Sequence, residues 1–359
     1  MASSAETRLH PIDEEHDENF GYAMQLALGS ALPMSLHAAI ELGVFEIIAK
    51  AGPESKLSAS EITAEIPDVQ NPDAAITLDR VLRLLASHNV LGCSLNGLER
   101  LYSLNPVSKY FVPNQDGISL GPFMALIQDK VFLDSWTKLK DAVLEGGSPF
   151  NKFHGTHCFG YSGLDSRFNH VFNTAMFHHT NLVITKILET YKGFKQLKQL
   201  IDVGGGLGHT LKAIISKYPH LKGINFDLPH VVKYAPAIPG VEHVAGDMFE
   251  SVPKGEAIFM KWILHDWSDE HCLRLLKNCY EALPDDGKVI VMDAVLPVMP
   301  ETGKAAKANF QTDLVVMTVY EGGTERTEHE FLAMATAAGF RGIRYVCCAC
   351  NFWIMEFFK

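Results

Sequence analysis

Nowhere in this 359-residue chain does positive charge gather. Its 31 lysines and arginines face 42 acidic residues, a formal net charge of −11, and no basic run offers a polyanion a footing. Nucleic acid is therefore not an expected partner. Apolar stretches long enough for a membrane span of about 20 residues are also missing. The opening Met-Ala-Ser-Ser-Ala-Glu-Thr carries neither the basic nor the hydrophobic region of a secretory signal. No membrane partner and a cytoplasmic setting are expected. Cysteines number seven, an odd number in a large chain without a secretory signal, which fits reduced thiols in the cytosol. Cys347, Cys348 and Cys350 crowd together, but in an apolar run from Tyr345 to Phe358 that reads as strand, so no metal site is expected there. A hydrophobic share of 47% excludes disorder and supports a full core. The length suits two domains, or one with a large extension.

The densest signal is Leu200–Gly208, Leu-Ile-Asp-Val-Gly-Gly-Gly-Leu-Gly. It reads as a buried parallel strand, a tight glycine turn and a helix from about Thr210, the unit that presents backbone to a nucleotide at the carboxyl edge of a sheet. The dinucleotide fingerprint G-x-G-x-x-G is absent. It fails at His209 when begun at Gly204, and at Leu211 when begun at Gly206. The G-x-G-x-G that stands instead suits a cofactor without a pyrophosphate. Asp227 and Asp247 then close the next two strands. The first is placed to accept from both hydroxyls of a ribose, the second from an adenine amine with Met248 against the ring. Three acids at three successive strand ends favour S-adenosylmethionine over NAD. Each acid alone also reads as a helix cap, and Met248 as core.

In chain order, residues 1–18 read as a flexible tail. Apolar residues at Met24, Leu28, Leu32, Leu36 and Ile40 predict helices broken near Pro33, packed on a second subunit or on their own domain. Residues 57–110 read as a winged helix-turn-helix. Ser58 and Glu61 form a capping box, Asp73 opens a helix striped by Leu78, Val81, Leu82 and Leu85, and strands 90–95 and 100–104 are joined at Asn96-Gly97. Four basic against six acidic residues there give the wrong sign for DNA, so the element is expected to dimerise. The domains are accordingly placed at 19–115 (mainly helical, winged helix), 116–194 (helical linker and pocket segment) and 195–359 (Rossmann-like α/β). Within the middle segment, residues 151–179 mix histidines with phenylalanines and hold no carboxylate at ligand spacing. An aromatic pocket wall is expected, with ordinary core as the alternative.

Residues 256–269 predict a strand emerging beside the glycine loop, with Ser268 capping the next helix and Cys272, Leu275, Leu276, Cys279 and Leu283 on its buried face. His265 falls at the functional edge of the sheet. Asp293 and Glu325 are the acids that could accept its N–H and raise its basicity.

These stretches resemble the plant phenolic O-methyltransferases of the caffeic acid type. The shared motifs are Ala-Met-Gln-Leu-Ala near the start, Gln-Asp-Lys at 128–130, Asp-Val-Gly-Gly-Gly at 202–206, Asn-Phe-Asp-Leu-Pro-His at 225–230 and Phe-Met-Lys-Trp-Ile-Leu-His-Asp-Trp-Ser-Asp-Glu-His-Cys at 259–272. The resemblance implies an S-adenosylmethionine-dependent methyltransferase domain of Rossmann-like α/β fold behind a winged-helix dimerisation domain. It implies a homodimer through the N-terminal helices, a small phenolic acceptor and no metal. By the same resemblance Gly204, Asp227, Leu228, Asp247, Met248 and Lys261 hold the cofactor, and His265 is the base, flanked by Asp293 and Glu325. The acceptor would meet Ile127, Phe132, Cys158, Ser162, Phe168, Phe172, Met176, His179, Val315, Val316 and Tyr320.

The chain departs from that pattern in places. Asp293 replaces a glutamate, about 1.5 Å of lost reach. Ile127 and Tyr320 replace asparagines and Ser162 a histidine. A less polar acceptor than free caffeate is therefore expected, such as a stilbene, flavonoid or other phenylpropanoid. A nicotinamide oxidoreductase and a winged-helix sensor remain the readings from other classes. Neither accounts for both the glycine pattern and His265 between two acids.

Overall fold

The computed structural model describes residues 14–359, in two compact units divided between Asn114 and Gln115. The first 13 residues of the expected tail lie outside the described residues. Residues 14–18 are not tail but the start of a helix, Glu14–Ala27, whose early acids suit a helix N-terminus.

In the first unit a second helix, Ala31–Glu41, follows at a bend of 53°. The break falls at 28–30, ahead of Pro33, which sits in the first turn, where its missing N–H costs nothing. Helix Val44–Lys50 then brings Val44, Phe45 and Ile48 into a core with Ile62, Leu78, Leu82, Leu85 and Tyr102. Each such side chain, fully buried, contributes about 1.5–3 kcal/mol. Phe20, Tyr22, Met24, Leu26 and Leu28 remain exposed on the first helix and just beyond it. The expected capping box is present: Ser58 Oγ accepts from Glu61 N, and a Glu61 carboxylate oxygen accepts from Ser58 N at 2.7 Å. Strands 91–96 and 99–104 pair antiparallel, one residue longer at the turn than the sequence predicts. The two-residue loop is thus Gly97-Leu98, with Gly97 at φ +61°.

The second unit is built on seven strands: β1 Gln199–Val203, β2 Lys222–Asp227, β3 Val241–Ala245, β4 Ala257–Lys261, β5 Lys288–Asp293, β6 Gly342–Ala349 and β7 Phe352–Phe358. They lie side by side in the order β3-β2-β1-β4-β5-β7-β6, with β7 alone running antiparallel. The central strands are buried on both faces, while the edge strands β3 and β6 remain partly exposed. Ala257 and Phe259 pack on one face against Leu211, Ile214 and Ile187, while Ile258 and Met260 pack on the other against Leu275, Leu276 and Phe331. The order reverses between β1 and β4, so a crevice for ligand opens beyond their carboxyl ends.

Three local expectations change. The run Tyr345–Phe358 is not one strand but the hairpin β6–β7, turned at Cys350 and Asn351, both at positive φ as a two-residue turn requires. The stretch read as a loop up to Leu164 holds two short helices, Pro149–His154 and Cys158–Leu164. Ser148 Oγ and His157 Nδ1 cap them, a signal that glycine and histidine content had masked. Residues 116–194 are not a linker, because helix Ser166–Thr190 packs Val183, Ile184, Ile187 and Leu188 into the sheet's own core.

Candidate active site

Beyond β1 the chain turns through Gly204 (φ +69°), Gly206 (φ +59°) and Gly208 (φ +84°), conformations in which a side chain would be strained. A Cβ on Gly204 would strike Ile263, yet none on Gly206 would meet anything within 4 Å, so that backbone faces open space. Asp227, at the end of β2, accepts from Gly206 N at 2.8 Å and from Leu228 N at 2.7 Å. Each of its oxygens keeps a lone pair for a ligand hydroxyl. Asn225 Nδ2 donates to Gly206 O at 2.8 Å and braces the loop from below. Buried Asp202 has an unpartnered Oδ2, and burial together with the charge of Asp227 lifts its carboxyl to about 8. Asp247 accepts from Phe249 N, and Met248 packs on the core beneath the sheet edge. A cation bound beside Asp202 and Asp227 would draw off the proton that burial and mutual repulsion hold on Asp202, whereas a pyrophosphate would add to that repulsion, so the pair favours a cationic ligand. The donor set fits the sulfonium and ammonium of S-adenosylmethionine.

Lys261 ends β4. Withdrawal from water lowers its ammonium to about 8, against the pull of Asp293, Asp202 and Asp266. Its Nζ lies 4.3 Å from the ring centre of Trp262, itself held at φ +57°, rare for a bulky residue and a mark of a constrained site. Trp262 stacks on buried His179 at 4.0 Å and leans toward His265 at 5.6 Å. Both its indole N–H and His179 Nδ1 are buried without a partner.

His265 occupies a single turn of 3₁₀ helix, Leu264–Asp266, and is buried. Its Nδ1 lies 2.7 Å from Glu325 Oε1, and its Nε2 lies 3.3 Å from Asp266 Oδ1. Burial works against the imidazolium. The charges of Glu325 and Asp266 and the Glu325 hydrogen bond outweigh it, and the ring is raised to about 9. Asp266 and Asp293 are each pushed up to about 7, chiefly by burial. Of the two acids expected to flank the imidazole, only Glu325 bonds to it. Asp293 Oδ1 accepts instead from Trp262 N at 3.0 Å, its Oδ2 has no partner, and it acts on His265 through charge.

Sequence reasoning missed two neighbours. Asp266 is the residue next to the histidine, a pairing visible in the sequence. Asp269, read as a helix-end acid only, binds the buried Arg326.

The expected acceptor residues gather in one apolar cluster. Phe132, Cys158 and Phe168 lie fully inside it, and half-buried Ile127, Phe172, Met176, Val315 and Tyr320 form its face. Tyr320 stacks on Phe159 at 5.2 Å. Three residues fall outside the cluster. His179 is across at Trp262, Val316 is buried beside Gly323, and Ser162 Oγ donates to Cys158 O at 3.2 Å. A separate groove of about 530 Å³ by Pro297, Asn309, Cys348 and Trp353 shares none of these residues. Among the described residues no three His, Cys, Asp or Glu side chains come together as metal ligands would.

Residues 136–341 match the O-methyltransferase domain and residues 24–114 the O-methyltransferase dimerisation domain. This chain belongs to the O-methyltransferase family. The enzyme is 54% identical to caffeic acid 3-O-methyltransferase 1 of Populus tremuloides over the whole of both chains. It is 57% identical to anthranilate N-methyltransferase of Ruta graveolens over 97% of this chain and 96% of that one. CalO1, a methyltransferase of calicheamicin biosynthesis solved in its SAH-bound form, shares the fold at a TM-score of 0.80 and 24% identity, over 97% of this chain and all of that one. The dimerisation domain makes the O-methyltransferase a homodimer.

Proposed function

We propose that this O-methyltransferase methylates a phenolic hydroxyl of a phenylpropanoid, with His265 as general base and the N-terminal helices as its dimer contact. S-adenosylmethionine is the methyl donor, and when bound it supplies an electrophilic methyl open to in-line displacement. The glycine loop, Asp227, Leu228, Asp247, Met248 and Lys261 hold it.

A phenol ionises near pH 10 and is a poor nucleophile while protonated. His265 Nδ1 is engaged by Glu325, and Nε2, which makes no hydrogen bond to Asp266 Oδ1 at 3.3 Å, is the nitrogen that takes the acceptor's proton as attack proceeds. That assistance is worth about 10²–10⁴-fold. Glu325 holds the imidazole's orientation and stabilises the cation that results. The apolar face of Ile127, Phe172, Met176 and Tyr320 keeps a flat ring against the base and water away from it.

The 2.7 Å contact between buried His265 and buried Glu325 carries this reading. A nicotinamide enzyme would be expected to carry the dinucleotide fingerprint, which fails here at His209 and Leu211, and a ligand sensor needs no buried histidine–glutamate pair.

The acceptor follows from the wall. Ile127 offers no hydrogen bond to a carboxylate or side-chain hydroxyl and Tyr320 only its single phenol O–H, and a polar group buried unpaired costs about 1–3 kcal/mol. The same surface favours a second ring or an ester, at about 25 cal/mol per Å² buried. An extended or uncharged phenylpropanoid, such as a stilbene or hydroxycinnamoyl derivative, is therefore the preferred substrate. Seven free thiols support a cytoplasmic setting.

His265→Gln tests the reading. Methyl transfer falls at least about 10²-fold while the dissociation constant for S-adenosylmethionine, measured by calorimetry, stays within about twofold. A full-rate variant removes the histidine from the mechanism. Loss of donor binding in parallel with rate makes it a structural residue.

A further inference from the structure

Arg326 is among the largest fully buried side chains of the described residues, 2% exposed, and its one ionic partner is a surface acid, Asp269, with a side chain 83% exposed. A buried guanidinium is costly unless its donors are used. Here they are used on backbone. Nη1 donates to Leu264 O at 2.8 Å and to Thr324 O at 3.3 Å, and Nη2 to Trp267 O at 2.9 Å. Nε and Nη2 both reach Asp269 Oδ1, at 2.9 and 2.8 Å.

The carbonyls chosen are informative. Leu264 precedes His265 and Trp267 closes its turn, while Thr324 precedes Glu325. One planar group thus joins the two backbone segments that carry the histidine and its carboxylate. Thr324 N adds a bond to His265 O at 2.9 Å, and Asp313 Oδ1 accepts from Glu325 N at 2.8 Å.

We propose that Arg326 is a positioning residue for methyl transfer: it braces the 264–267 turn against the 324–326 segment and so sets the His265–Glu325 contact. The inference rests on His265 being the base. Lysine cannot replace it, since a single ammonium cannot span carbonyls on both sides of the turn and the Asp269 carboxylate together. Misplacing a catalytic group by about 1 Å costs up to about 10²-fold in rate.

The test uses the full-length dimer, with Arg326→Lys and Arg326→Met compared in melting temperature, kcat, KM and the pH dependence of kcat/KM. The charged groups acting on the imidazole are Glu325, Asp266 and Asp293, with Lys261 and His179 nearby. In Arg326→Lys, kcat falls at least about thirtyfold, the acceptor KM stays within about threefold, and the acidic limb moves to lower pH by about half a unit or more, because a loosened Glu325 contact no longer holds the proton as firmly. A folded lysine variant with kcat within about threefold overturns the proposal. So does a rate loss with the limb unmoved, which makes the arginine a fold residue only. Should neither arginine variant fold, Asp269→Ala, a change at an exposed side chain, decides. A lowered kcat with the limb shifted the same way supports the brace, and an unaltered profile overturns it. His265→Gln at full rate would sink the underlying base assignment instead, a result these profiles do not imitate.

Discussion

Asp293 Oδ1 accepts the backbone N–H of Trp262 at 3.0 Å, and it makes no hydrogen bond to His265. The aspartate holds in place a residue at φ +57° whose ring touches Lys261 on the donor side and His179 and His265 on the other. Asp293→Asn keeps a carbonyl oxygen for that N–H and loses only charge, whereas Asp293→Ala loses both. The asparagine variant is expected to keep kcat within about tenfold of the parent, and the alanine variant to fall about tenfold further, because there the Trp262 N–H keeps only its bond to Met292 O, at 3.1 Å, and the strained residue relaxes. Steady-state kinetics with near-ultraviolet circular dichroism of the indole check this. Equal losses in the two variants would make charge, not the clamp, the function of Asp293.

Glu325 and Asp266 hold the imidazole of His265 up at about 9. A base works only when unprotonated, so kcat/KM is expected to rise with pH and level off near that value. Neutralising Glu325 removes the larger of the two charges holding the proton. In Glu325→Gln the limb therefore moves to lower pH by about one unit or more, and the plateau drops about 10-fold or more, because the ring is less basic and less firmly oriented. A limb that stays put in this variant belongs to the ionising phenol rather than to His265.

Ile127 and Tyr320 share the face of the acceptor cluster. The specificity constant for a stilbene or hydroxycinnamoyl derivative is expected to exceed that for caffeate, and Ile127→Asn with Tyr320→Asn to shift the ratio back by about tenfold, the worth of about 1.4 kcal/mol. A panel of hydroxycinnamates, aldehydes, stilbenes, flavonoids and anthranilate, read by product mass, measures it. A tenfold preference for caffeate or 5-hydroxyferulate in the parent enzyme rules these positions out as selectors. Transfer to anthranilate nitrogen at a higher specificity constant would replace the phenol reading with an arylamine one.

Leu26 and Leu28 are more than half exposed at the end of the first helix. Leu26→Asp with Leu28→Asp is expected to convert the dimer to monomer in sedimentation while the fold survives, since neither side chain belongs to the unit's core. Deleting residues 20–50 is the poorer test, because it removes Phe45 and Ile48 from that core. A double variant that stays dimeric at micromolar concentration moves the contact elsewhere.

Much of this protein is decided by neighbours in sequence. The strand, glycine turn and helix at 199–217, the Ser58–Glu61 cap, and the stripe of Leu78, Leu82 and Leu85 are marked by periodicity, glycine spacing and capping residues within each segment, though distant partners such as Asp227 and Asn225 complete the turn. The catalytic candidates were legible for a related reason, as acids and a histidine at strand ends, where an α/β sheet keeps its ligands. Local rules could not pair those groups. Glu325 reaches His265 across 60 residues of chain, while Asp293, one methylene shorter than the glutamate of the resemblance, stops at the Trp262 backbone. Nor could they show that an arginine beside Glu325 is buried, with Asp269 as its counter-ion. A buried charge is tolerated only where distant carbonyls and a carboxylate converge on it, and that convergence exists only once the sheet, the 264–267 turn and the 324–326 segment are packed together.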